Sequence, residues 1–83
     1  MYSLNFTRKA LKELEKLNEP YYSSIKQAIY TLTIQPRPMG YKKLKGRDSY
    51  RIRVGNYRVI YEIFDNILTV EVIDLGHRKD IYE

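Results

Sequence analysis

The sequence feature that most constrains the fold is the stretch SYRIRVGNYRVIYEI at residues 49–63. It contains two runs in which apolar and polar residues alternate, as they do in half-buried β-strands. Gly55 and Asn56 join the runs and suit the two-residue turn of a tight β-hairpin. Such a turn sets the register, because each residue then has one partner across the hairpin. The predicted pairs are Val54 with Tyr57, Arg53 with Arg58, Ile52 with Val59, Arg51 with Ile60, and Tyr50 with Tyr61.

This register places Arg51, Arg53 and Arg58 together on one face of the hairpin. Arg53 lies directly opposite Arg58, and like charges in that position destabilise a sheet by up to about 1 kcal/mol. The alternative is a row of solvated arginines whose charge is offset by Glu62 and Glu71. We favour an anion-binding face, because guanidinium groups bind phosphate in bidentate fashion and stay charged at any ordinary pH.

The positive charge of the chain is concentrated in residues 41–58. This segment contains seven basic residues and one acidic residue, Asp48, and so carries +6, whereas the whole chain carries +5 and the remainder therefore −1. A basic stripe on an otherwise neutral body indicates a surface for phosphate or for an acidic partner. The basic residues of the stripe outside the hairpin are Lys42, Lys43, Lys45 and Arg47. They are either phosphate contacts or a charged loop, in which Leu44 is predicted to be buried.

The remaining segments complete an α+β pattern. Alternation in residues 2–6 predicts a first strand, and Thr7 is a suitable cap for the helix that follows. The apolar stripe of this helix comprises Ala10, Leu11, Leu14 and Leu17. Pro20 suits the first turn of a second helix. Its apolar stripe comprises Tyr22, Ile25, Ala28 or Ile29, and Leu32. We expect the two helices to form an antiparallel hairpin on the apolar face of the sheet.

A last alternating run, ILTVEVID, follows Asp65 and Asn66, a pair that tolerates a tight turn. That turn predicts pairing of Ile63 with Leu68, Tyr61 with Val70, and Val59 with Val72. The fold is therefore predicted as a single β-α-α-β-β-β domain over residues 1–83, with a mainly antiparallel, twisted sheet. The position of the first strand within the sheet stays open.

Several classes of site and location are excluded by composition. Cysteine is absent and His77 is the only histidine, so no disulfide, thiolate metal site or paired-histidine metal site can form, and we predict no metal and no cofactor. No apolar run is long enough for a signal peptide or a membrane span. We therefore expect a cytoplasmic protein that does not span a membrane.

Two residues near the end of the chain could add chemistry to the arginine face. His77 is predicted to continue the line of that face and can transfer a proton near neutral pH, although a lone loop histidine is often a plain surface residue. Tyr82 could stack on a base or hydrogen-bond a phosphate or ribose. Alternatively, its ring anchors the tail against the sheet edge.

Three motifs resemble the RelE/ParE superfamily of bacterial and archaeal toxins, and the RelE branch more closely. They are LKG at residues 44–46, YRIRVGNYRVIYEI at residues 50–63 and GHRKDIY at residues 76–82. The resemblance implies an endoribonuclease that cleaves mRNA in the ribosomal decoding site, by 2′-hydroxyl attack on the phosphate and without a metal. It also implies a cognate acidic, RelB-like antitoxin that forms a hetero-oligomer with the toxin and blocks it.

The resemblance implies specific roles for residues of this chain. The implied catalytic residues are Arg51, Arg53, Arg58, His77, Arg78 and Tyr82. The implied contacts to RNA or the ribosome are Lys42, Lys43, Lys45 and Arg47. RelE-type toxins often carry lysines where this chain has Arg51 and Arg53, and arginine cannot serve as a base. The base is then His77 or Tyr82, and we favour His77. Two alternatives stay open: a ParE-like toxin that inhibits DNA gyrase without cutting RNA, and an inactive toxin kept to pair with its antitoxin.

Overall fold

The structure is a computed structural model that describes residues 1–46 and 48–79. Its elements are strand β1 (Ser3–Phe6), helix α1 (Arg8–Glu15), helix α2 (Tyr21–Thr31) and strands β2 (Lys42–Lys43), β3 (Ser49–Val54), β4 (Tyr57–Phe64) and β5 (Thr69–His77). The predicted α+β class and the predicted order of the elements are confirmed. Strand β2 was not predicted, since it lies in a segment that was expected to be a loop.

The five strands form one sheet in the order β1-β5-β4-β3-β2. All neighbouring pairs are antiparallel except β1 and β5, which are parallel. The N-terminal strand therefore lies at an edge, which settles the position that the sequence left open. At the other edge, Lys42 pairs with Arg51 and Lys43 with Tyr50, so the short basic segment extends the hairpin sideways.

In each helix, a residue before the first turn accepts a hydrogen bond from a backbone N–H of that turn. The Thr7 hydroxyl accepts a hydrogen bond from the Ala10 N–H at 3.1 Å and donates one to the Ile73 carbonyl at 3.0 Å, so the predicted cap also ties α1 to the sheet. Before α2, the Glu19 carboxylate accepts hydrogen bonds from the N–H and the hydroxyl of Ser23. These bonds stabilise the charged carboxylate and lower the pKa of Glu19.

The main core lies between the two helices and one face of the sheet. Its buried residues are Ala10, Leu14, Ile25, Ile29, Leu32, Ile52, Val59, Tyr61, Val70, Val72 and Leu75. Most of the predicted apolar stripes are therefore confirmed, and Ile29 rather than Ala28 is the fully buried member of its stripe. Leu11 is the exception, with 44% of its surface exposed.

The first hairpin has the predicted register, with all five predicted pairs in place. The register predicted for β4 and β5 is wrong by two residues. Strand β4 continues to Phe64, a 3-10 turn spans Asp65–Ile67, and Leu68 takes a left-handed conformation with φ of 47°. The observed pairs are Phe64 with Thr69, Ile63 with Val70, and Tyr61 with Val72. A shift of two residues keeps each side chain on its face, so Val70 and Val72 are still buried in the core.

A β-bulge interrupts strand β5. Tyr61 pairs with Val72 but its neighbour Ile60 pairs with Asp74, so Ile73 is one extra residue on β5. Beyond the bulge, each side chain of β5 lies on the face opposite to the one that uninterrupted alternation would give it. The pairs there are Val59 with Leu75, Arg58 with Gly76, and Tyr57 with His77.

Neither helix described within residues 1–46 and 48–79 combines the length and the apolar character needed to cross a membrane.

Candidate functional site

We call the face of the sheet that the helices do not cover the open face. Two arginines on it, Arg53 of β3 and Arg58 of β4, form what we call the arginine pair. The two residues are direct cross-strand partners, as predicted. On the next strand, Gly76 is the partner of Arg58. Because glycine has no side chain, Gly76 adds neither charge nor bulk of its own to this row. Two guanidinium groups on neighbouring strands can together bind an anion.

Arg51 lies on the same face but in different surroundings. Only 6% of its surface is exposed, whereas Arg53 is exposed and Arg58 half-buried. Leu44 and Ile60 lie beside it, each 3% exposed, and form a small apolar cluster with Ile73. The aliphatic stem of an arginine can pack on such a cluster while its head keeps a fixed direction. Arg51 is thus a buried cation one row from the arginine pair.

The basic loop after β2 is pinned to the open face by Leu44. This residue is buried, as predicted, and its N–H donates a hydrogen bond to the Ser49 carbonyl at 2.8 Å. The loop between them borders an open concavity of about 570 Å³. Its lining residues are Lys43, Leu44, Lys45, Gly46 and Asp48. Two lysines are therefore presented at its rim, while Arg47, predicted as a further contact, lies outside the described residues.

A glutamate pair occupies the same open face further along the strands. Glu62 on β4 is the cross-strand partner of Glu71 on β5. The Ser49 hydroxyl donates to Glu62 at 3.4 Å, and the Asn5 side chain donates to Glu71 at 3.2 Å. Four residues of strand separate Glu62 from Arg58, which is about 13 Å along β4. The open face is therefore divided into a positive and a negative end.

His77 does not continue the arginine face, and that prediction is wrong because the bulge reverses the alternation of β5. Its ring lies 5.5 Å from the ring of Tyr57, which itself lies 5.3 Å from Tyr21 of α2, on the helix-covered side. The Nδ1 atom of His77 accepts a hydrogen bond from the Lys79 N–H at 3.2 Å. A neutral imidazole has one accepting nitrogen, and here that nitrogen is already engaged.

The other C-terminal candidates differ in what the structure describes. The N–H of Arg78 donates a hydrogen bond to the Asn56 carbonyl at 2.8 Å, which fixes this residue beside the hairpin turn and near the row of the arginine pair. Tyr82 lies outside the described residues. Within residues 1–46 and 48–79, no three His, Cys, Asp or Glu side chains come together in a group that could hold a metal ion.

Sequence reasoning missed a polar cluster centred on Asp65. The guanidinium of Arg37 binds its carboxylate at 2.9 Å and lies over the Tyr50 ring, 5.5 Å from the centroid. The Tyr2 hydroxyl donates to the same carboxylate at 2.6 Å. Both bonds lower the pKa of Asp65. Because Arg37 lies between two prolines in a polar loop, no local pattern indicates that it contacts both Tyr50 of β3 and Asp65 in the turn before β5.

Comparison with protein families identifies one family over nearly the whole chain. Residues 4–82 match the family described as ParE toxin of type II toxin-antitoxin system, parDE. The chain is also similar to the mRNA interferase toxin RelE of Escherichia coli strain K12. The two sequences are 33% identical over 81 residues, which cover 94% of this chain and 84% of that protein.

Solved structures share the fold as well. The intact RelBE toxin-antitoxin complex of E. coli contains a chain that is 34% identical, with a TM-score of 0.80, covering 93% of this chain and 96% of that chain. The archaeal RelE-RelB complex from Pyrococcus horikoshii OT3 contains one that is 27% identical, with a TM-score of 0.83, covering 96% and 98%. The sheet with its helical hairpin is thus the architecture of these toxins.

Proposed function

This chain belongs to the RelE/ParE superfamily of type II toxin–antitoxin system toxins, on its RelE branch, and we propose that it is an endoribonuclease that cleaves mRNA in the ribosomal decoding site. The observation that carries this proposal is the arginine pair beside Gly76. Like charges directly opposite each other repel, and an anion bound by both guanidinium groups is attracted to both. A phosphate diester of RNA is such an anion.

In the proposed reaction, the ribose 2′-oxygen attacks the adjacent phosphorus while the bond from phosphorus to the 5′-oxygen breaks. The products are a 2′,3′-cyclic phosphate and a free 5′-hydroxyl. Negative charge builds on the nonbridging oxygens in the transition state, and Arg53 and Arg58 stabilise it. Arg51, held by its apolar surroundings, and Arg78, beside the turn, complete the cationic rim.

The arginines cannot transfer the protons that this reaction moves, because they do not lose their own. The attacking 2′-hydroxyl gives up a proton, and the leaving 5′-oxygen gains one. His77 was our preferred base, but its accepting nitrogen is engaged and its ring lies on the helix-covered side. We therefore assign the base to Tyr82, the remaining candidate: its phenolate accepts the proton of the 2′-hydroxyl, and water donates the proton that the leaving 5′-oxygen gains.

The assignment of the base predicts the behaviour of His77→Ala. We expect its cleavage rate to stay within about threefold of the wild-type rate, since a group on the far side of the sheet provides little transition-state stabilisation. Single-turnover cleavage of ribosome-bound mRNA from pH 5.5 to 8.5 measures this. A His77→Ala rate that falls by about a hundredfold would restore His77 as the base.

The proposed activity is tested by inducing the chain in cells and sequencing RNA 5′ ends. Wild-type protein should produce new 5′-hydroxyl ends within translated messages of the cytoplasm. Growth arrest with intact messages would contradict the proposal. If altered DNA supercoiling accompanied that arrest, gyrase inhibition would replace it, although relatives named mRNA interferase do not favour this alternative.

The proposed partner is a cognate acidic antitoxin of the RelB type. Its support is the basic stripe of residues 41–58 and the presence of RelB in the similar complexes. Charge attraction between an acidic segment and this stripe would make association faster at low ionic strength. Association that does not respond to salt would contradict this mode of binding.

A further inference from the structure

The charges on the open face form a gradient along the strands. The first row, next to the hairpin turn, is Arg53, Arg58 and Gly76. The second is Lys42, Arg51 and Ile60, with Asp74 as the partner of Ile60 on β5, where its carboxylate is paired with Lys9 of α1. The third is Ser49, Glu62 and Glu71. Successive rows on one face are about 6.6 Å apart, since they are two residues apart along each strand. For a polyanion on this face, the electrostatic potential therefore changes from attractive to repulsive along the strands, whereas it changes less across them.

The glutamate pair is as unfavourable for the sheet as the arginine pair is. Glu62 and Glu71 are direct cross-strand partners, and the hydrogen-bond donors described for them, Ser49 and Asn5, are neutral groups that leave the negative charge in place. The same reasoning that gives the arginine pair a ligand gives the glutamate pair a role in rejecting one. Repulsive groups of this kind are a common basis of specificity.

We propose that the glutamate pair is a specificity-determining boundary that makes RNA cross the sheet at right angles to its strands. This inference rests on the proposed function, because it concerns the RNA bound at the arginine pair. The strand of RNA enters over Lys42 at the β2 edge, passes the arginines of β3 and β4, and leaves over Gly76.

The two possible directions differ in what the phosphates meet. An RNA strand that follows β4 from Arg58 would place phosphate over Glu62 two rows later. A strand that crosses from β2 to β5 stays within the first two rows, where every charged side chain of β2, β3 and β4 is basic. On β5, the carboxylate of Asp74 is paired with Lys9 at 3.1 Å, and Gly76 adds no charge. Electrostatics therefore favours the path across the strands.

The path can be tested with a photocrosslinker beyond the glutamate pair. The chain has no cysteine, so Phe64→Cys can be labelled at a single site with benzophenone. Phe64 is 37% exposed and lies one row past Glu62 on the open face. The probe is an oligouridylate of about 12 nucleotides, with every 2′-hydroxyl methylated so that it cannot be cleaved. Crosslinking and fluorescence anisotropy are measured at low salt, with and without Glu62→Gln and Glu71→Gln.

Glutamine retains an oxygen that accepts the hydrogen bonds from Ser49 and Asn5, so the charge changes while the contacts stay. With both glutamates replaced, we expect crosslinking to rise about tenfold and the dissociation constant to fall about threefold. The matched control is Glu15→Gln, which removes one negative charge from an exposed position on α1. It should change neither quantity.

Three outcomes would overturn the boundary: efficient crosslinking while both glutamates are present, an equal gain from Glu15→Gln, or no binding of the probe at low salt. The proposed function has a separate test. If the probe behaves as expected but messages stay intact in cells, the cleavage proposal fails and the path across the sheet stands.

Discussion

The two faces of the sheet use the same strands for opposite purposes. The helix-covered face buries six strand residues against α1 and α2, and burial of apolar side chains is the main favourable term in folding. The open face bears an arginine pair and a glutamate pair, and directly opposed like charges repel each other across strands. One face therefore contributes apolar burial, whereas the other carries a charge pattern.

The contrast is not complete, because the open face also has an apolar cluster. Leu44, Ile60 and Ile73 are packed together under the basic loop. This cluster has fewer buried residues than the main core, but it lies beside Arg51 on the strands and includes Leu44 of the basic loop. Packing and the proposed site therefore overlap at one place on the open face.

Among the variants that distinguish the two faces, Arg58→Ala is expected to have the largest effect, on the rate of cleavage. The variant should cleave mRNA about a hundredfold more slowly or worse, because it removes charge stabilisation from the transition state. Its free energy of unfolding should change by no more than about 1 kcal/mol, the size of a cross-strand charge effect. Cleavage is measured on ribosome-bound mRNA and stability by urea unfolding. Arg8→Ala on α1 removes the same charge and should alter neither, whereas wild-type cleavage by Arg58→Ala would refute the assignment.

The covered face should show the reverse pattern in Ile29→Ala. Ile29 is 1% exposed, so its truncation leaves a cavity and should lower the free energy of unfolding by about 2–5 kcal/mol. Cleavage per folded molecule should stay the same. The matched control is Ile34→Ala, at a residue that is 64% exposed, where we expect a change within about 0.5 kcal/mol. Equal losses of stability in both variants would contradict the described core.

Leu44→Ala tests the place where the faces overlap. We expect a loss of about 2–3 kcal/mol in the free energy of unfolding, because a buried leucine is truncated. Cleavage per folded molecule should also fall, by about tenfold, as Arg51 and the basic loop lose their support. If unfolding weakens while cleavage is unaffected, the cluster serves stability alone.

The smallest expected effect concerns pH and Asp65. Hydrogen bonds from Arg37 and Tyr2 lower the pKa of Asp65 in the folded protein. The carboxylate therefore stabilises the fold above its unfolded pKa, and this contribution disappears as the pH falls through the lower, folded pKa. Asp65→Asn should flatten the decline of the melting temperature in acid. Asp48→Asn, at a fully exposed side chain, should not, and identical pH profiles for Asp65→Asn and wild type would contradict this role.

The two turns explain how much of the fold the sequence could predict. Gly55-Asn56 has a recognised turn signature, and the register it implied is correct at every predicted pair. Asp65-Asn66 was read as a similar turn, but the chain uses two further residues, with Leu68 in a left-handed conformation that apolar side chains rarely adopt. Nothing local in the sequence indicates that choice, which depends on pairing with β1 and on the Asp65 cluster.

The candidate site likewise has one part that the sequence could predict and one part that it could not. The arginine pair was predictable because it depends only on the first turn. The glutamate pair was not, since the register predicted for β5 would have placed Glu71 opposite Ile60 rather than opposite Glu62. The side on which His77 lies depends on a single bulged residue, and a run such as ILTVEVIDLGH alternates equally well with or without a bulge.

The bulge at Ile73 also sets the phase of the end of β5. In a bulge-free ladder of unchanged length, Ile73 would pair with Ile60 and Asp74 with Val59, so Asp74 would turn toward the core while Leu75 and His77 would turn toward the arginines. The extra residue prevents that exchange, and deleting Ile73 would leave Leu75 opposite Val59. One surplus residue thus lets the strand carry a carboxylate near its end, paired with Lys9, without burying it in the core.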